Sequence, residues 1–109
     1  MTDLSALKEL RDKVAAGTAT KRDFILSDLV PHDRSAFRAF SGSLDAAKAL
    51  HEALLPGWGW HCGVYGARVW EYPGDEWHPE RRSDVEMPEN PARAWLLAIL
   101  TALIAKECQ

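Results

Sequence analysis

SLDAAKALHEALLPGWGWHCGVYGARVWEY, residues 43 to 72, reads as a helix, a hard stop and an aromatic-rich hairpin. Ser43 is suited to cap the helix, since its hydroxyl can accept an orphan backbone N–H, and Asp45 complements the positive end of the helix dipole. Ala47, Leu50 and Leu54 recur at helical spacing, widened by Ala46, Ala49 and Ala53, until Pro56 and Gly57 make continuation costly. His51 falls opposite that stripe and is expected to be exposed.

Trp58 to Val64 and Ala67 to Tyr72 are rich in aromatic and β-branched residues, and Tyr65-Gly66 between them suits a two-residue turn with Gly supplying a positive φ. That register sets Val64 against Ala67, Cys62 against Val69 and Trp60 against Glu71 on an apolar face. Gly63 then meets Arg68, and His61 meets Trp70, on the other. A lone hairpin is marginal in water, so a third strand, a helix or a partner must cover it.

Outward from this stretch the chain is helical on the N-terminal side. Leu4, Leu7, Leu10 and Val14 form one stripe of an amphipathic helix ending at Gly17. Thr20 to Asp23 matches a capping-box variant that introduces a short second helix before Pro31, and Phe37 and Phe40 mark one or two further turns bounded by Gly42. Beyond Tyr72, PGDEWHPERRSDVEMPENP holds four prolines and six acidic against two basic side chains, so a long loop is expected. Its one alternating stretch, Ser83 to Met87, can supply an edge strand. A loop of this length in a small domain suggests a functional segment or an arm that grips a neighbour, and Trp77 within it favours binding.

Asn90-Pro91 is a strong helix start. From Ala92 to Ala105 only Arg93 and Thr101 are polar, so the last helix has no wide polar face and needs cover around most of its circumference. It is too short to span a bilayer, which takes roughly 20 apolar residues. The expectation is a homo-oligomer with Trp95, Leu96, Ile99, Leu100 and Leu103 in the subunit contact. The fold expected is α+β, a small layered sandwich in which helices pack the Trp58 to Tyr72 hairpin. It forms a single domain, with residues 1–42 as a helical extension to a 43–109 core.

A net charge of −3 gives no overall reason to bind duplex nucleic acid. Two cysteines, Cys62 and Cys108, do not make a secreted disulfide framework, and MTDLSALKEL lacks the layout of a signal peptide, so a cytoplasmic protein is expected. His61, Cys62, Glu71, Asp75, Glu76 and His78 are close in sequence, but adjacent strand residues point to opposite faces and no paired Cys-x-x-Cys or His-x-x-x-His occurs. A small metal-dependent enzyme is therefore a minor reading, and no cofactor is implied. Cys62 points to the core as an inert thiol. Arg68, Trp70, Tyr72, Trp77, Arg81 and Arg82 are the candidate ligand-binding set, because aromatic faces stack on planar groups and guanidinium forks take up phosphate or carboxylate.

The helix ending in LPGW, the Trp-rich hairpin and the NPARAWLLAIL helix, in the blocks Ser43 to Tyr72 and Asn90 to Glu107, together resemble the phage ABA sandwich domain of small bacteriophage and prophage proteins. The resemblance implies a layered α/β fold and a phage setting, with no catalytic residues to transfer. It points to a non-catalytic binding protein that antagonises host anti-phage defence, by sequestering a nucleotide-like signal or by binding a defence protein. A phage structural or assembly accessory is the alternative.

Overall fold

The computed structural model describes residues 4–27, 29, 32–71 and 82–107, with the side chains of Arg82 and Glu107 left aside. The elements run α1 (Leu4–Ala16), α2 (Lys21–Leu26), α3 (Asp33–Phe40), α4 (Leu44–Leu54), β1 (Gly59–Gly63), β2 (Gly66–Trp70), β3 (Arg82–Glu86) and α5 (Pro91–Glu107). The fold is α+β, a three-stranded antiparallel sheet in the order β1-β2-β3 with helices layered against it.

Local chemistry sets the helix ends. Gly17, at φ +76, closes α1 in the left-handed region. Thr20 and Asp23 form a reciprocal capping box on α2, and Lys13 reaches from α1 to Asp23 at 2.9 Å. This ion pair, with the bonds from Thr20, holds the Asp23 carboxyl below the usual carboxylate range. Ser43 Oγ accepts from Ala46 N at the start of α4, and Asn90 Oδ1 accepts from Arg93 N at 3.1 Å at the start of α5.

The sheet departs from the sequence-based register. Cys62 pairs with Ala67, His61 with Arg68 and Gly59 with Trp70, so the turn is Val64-Tyr65 and Gly66 belongs to β2. The reason is tertiary. Gly66 sits at φ +142, and a Cβ there would lie 1.9 Å from the Val85 carbonyl of β3, so β3 needs glycine at this position in the strand. The slip is two residues, which leaves every side chain on its expected face. Trp60, Cys62, Ala67, Val69, Ser83 and Val85 face the helices, while His61, Arg68, Trp70, Asp84 and Glu86 face away.

α5 is the hub of the molecule. It packs on the sheet from one side, while α1, α3 and α4 close over the other. Leu7, Leu10, Val14, Phe24, Ala39, Phe40, Ala47 and Leu50 join Val69, Leu96, Ile99 and Leu100 in one buried cluster. Ala94, Ala98 and Ala102 let the neighbours approach closely. The residues expected in a subunit contact on α5 find cover within the chain. Trp95, Leu96, Ile99 and Leu100 are at most 2% exposed within the single chain, and Leu103 is partly buried against the same core, because the first 42 residues supply the missing cover. Arg93 fastens the start of α5 to α3: its guanidinium lies 4.3 Å from the Phe40 ring centroid and donates to the Phe40 carbonyl. No described helix is long and apolar enough to cross a membrane.

Candidate functional site, the outer sheet face and its edge

Among the described residues, α5 is the helix laid on the sheet, and it takes one face only. The other face is a shallow concavity of about 590 Å³ lined by His61, Tyr65, Arg68, Asp84 and Glu86. Arg68 Nε lies 3.2 Å from Asp84 Oδ1 across β2 and β3, with both side chains about half exposed. A surface ion pair of this kind contributes little stability, so the guanidinium can change partner at small cost. The indole of Trp70 lies flat against Gly59: a Cβ on that glycine would stand 2.3 Å from Cε2 of the ring. An aromatic laid over a cross-strand glycine fills the gap in the pleat. Trp70 is thereby half-buried, a wall of the face rather than a free stacking platform.

Arg68 and Trp70 thus share the face that their strand phase predicts. Arg82 stands opposite Trp70 in β3 by backbone register. Tyr72, Trp77 and Arg81 lie outside the described residues, as do Asp75, Glu76 and His78. His61 and Cys62 point to opposite faces, and no group of three metal-ligating side chains gathers among the described residues. The Cys62 thiol donates to the Pro91 carbonyl at 3.5 Å, and burial pushes its pKa up, so it is held as the thiol.

Sequence reasoning missed the hairpin tip and the groove behind it. Val64 and Tyr65 form the turn at 75% and 80% exposure, and Trp60 and Leu44 are 41% and 49% exposed. The last two line a groove of about 390 Å³ between α4 and β1, floored by Cys62, Pro91 and Trp95. The turn position of a valine and a tyrosine was the available signal, hidden by placing the turn one residue late.

His51 is also corrected: it is buried rather than exposed. Nε2 lies 3.0 Å from the Trp58 carbonyl and Nδ1 lies 3.3 Å from Trp95 Nε1. The indole N–H can only donate, so Nδ1 accepts, Nε2 carries the hydrogen, and the ring is neutral. Burial lowers its pKa, opposed by the Trp58 carbonyl and by Glu52. Trp60 stacks on Trp95 at 4.3 Å between centroids, so His51 braces the groove floor from behind. Against protein-family models, curated proteins and solved structures alike, the chain has no match.

Proposed function

We propose that the chain is a non-catalytic binding protein that engages a partner protein through the sheet face that no described helix covers and through the hairpin tip. In the phage setting that its sequence resemblance implies, the partner is a host defence protein met in the cytoplasm. The single observation that carries this reading is the make-up of the surface. Tyr65 and Val64 stand out at the tip, beside a face on which His61 of β1 and Arg68 of β2 lie next to Asp84 and Glu86 of β3. Aromatic side chains and Arg within a mixed-charge rim are what protein interfaces favour.

The mixture of signs argues against sequestering a nucleotide-like signal through this face. A phosphate-binding surface gathers cations, whereas here the Arg68 guanidinium already meets the Asp84 carboxylate at 3.2 Å. Native mass spectrometry of the chain purified from a host that expresses it discriminates the two. The expected result is a retained protein, with Tyr65→Ala and Arg68→Ala each weakening retention at least about tenfold while the unfolding midpoint stays put. A retained nucleotide, or variants whose main effect is on stability, would sink the reading.

A further inference from the structure

The two outer strands of the sheet differ in how they are guarded. β3 carries Arg82, Asp84 and Glu86 and is followed by Pro88, the side chains that discourage another strand from pairing. β1 is Gly-Trp-His-Cys-Gly, with no Lys, Arg, Asp, Glu or Pro. Its hydrogen-bond phase follows from the ladder. Met87 N donates to the Tyr65 carbonyl at 2.9 Å, so residues 65, 67 and 69 bond toward β3, while 66, 68 and 70 bond toward β1. Gly59, His61 and Gly63 therefore spend their peptide groups on β2. The N–H and C=O of Trp60 and Cys62 point to the other edge of β1, where no described strand pairs.

On the helix side of that edge lies the 390 Å³ groove, with Trp60 on one wall, Cys62 on its floor, and Leu44 and Lys48 of α4 on the other wall. We infer that β1 is a strand-addition site for an extended segment of a partner protein bearing apolar side chains at alternate positions with an acidic one between them. The inference rests on the protein-binding reading above and names how the partner is held. Residues opposite Trp60 and Cys62 turn their side chains into the groove, where an apolar group finds Leu44 and the Trp60 indole. The residue opposite His61 turns to the outer face, where the imidazole and the Arg68 guanidinium beyond it suit a carboxylate. Gly63 leaves room on one side, while the Trp70 indole over Gly59 walls the other.

A second copy of this chain is the poorer occupant. Any two-fold antiparallel pairing of β1 brings both α4 helices to one seam, and the register centred on His61 also flanks it with two Arg68 side chains. A foreign segment brings neither conflict.

The test selects random short peptides displayed on a library against the immobilised full-length chain, then titrates the enriched peptides into isotope-labelled protein. Alternating apolar residues around an acidic one are expected in the enriched set, with slowed hydrogen exchange at the Trp60 and Cys62 amides. Leu44→Glu in the groove wall, or Val64→Lys at the tip should the first variant not fold, is expected to weaken binding at least about tenfold. Peptides that shift only His61, Tyr65 and Arg68, with the two edge amides exchanging as before, would overturn strand addition and leave the protein-binding reading standing. A selection that enriches nothing, or edge amides protected in a dimer of the chain itself, would overturn the inference outright.

Discussion

His51 is the residue on which stability and the groove meet. At 2% exposure it is held neutral between the Trp58 carbonyl and the Trp95 indole, and protonation would set an N–H against the indole N–H. Its folded pKa lies below the ordinary 6.5, so as pH falls the unfolded chain takes up the proton first. The contribution is therefore fully present above pH 6.5 and is lost as pH drops from there through the lower folded value. Urea midpoints should fall between pH 7 and pH 5 in the wild type. His51→Leu should lose about 1–3 kcal/mol at pH 7, because Trp95 Nε1 is left buried without an acceptor. The histidine's share of the pH dependence should vanish with it; an unchanged slope would show that other groups carry it. Gly66 bears on stability through its backbone. Ala there meets both a φ of +142 and the Val85 carbonyl, and a loss of about 3 kcal/mol or more is expected by calorimetry.

The elements divide by how local their causes are. Caps are local, so Ser43, Thr20 with Asp23, and Asn90 could be read directly from the sequence, and the helices begin where those residues place them. Asn90→Ala should accordingly cost about 1 kcal/mol in denaturant unfolding, by freeing the Arg93 N–H at the start of α5. A midpoint within error of wild type would mean that Arg93, through Phe40, holds the helix start unaided. Strand faces were legible for the same reason, since a period of two survives a slip of two residues. The turn was not, because Gly66 answers to Val85 rather than to its neighbours in sequence. Of the candidate site, Arg68 and Trp70 followed from strand phase. The groove did not, since it needs α4 and β1 side by side, and neither did the burial of His51, whose indole partner lies 44 residues further along the chain.

At the scale of the whole molecule, the question posed by the apolar last helix is answered inside the chain. α5 does need cover, and Leu7, Leu10, Val14, Ala36 and Phe40 converge on it and join its core. A subunit contact on α5 and a core on α5 respond differently to the same substitution. Leu100 is fully buried between the sheet and the helices, and truncating it leaves a cavity among side chains that cannot all collapse into it. Leu100→Ala should therefore lower stability by about 2–5 kcal/mol. Were α5 instead an interface, the variant would dissociate an assembly and its unfolding midpoint would depend on protein concentration. Light scattering and calorimetry of the two proteins over a range of concentrations separate these outcomes. The expected result is equal mass for wild type and variant, and a midpoint shift that does not move with concentration.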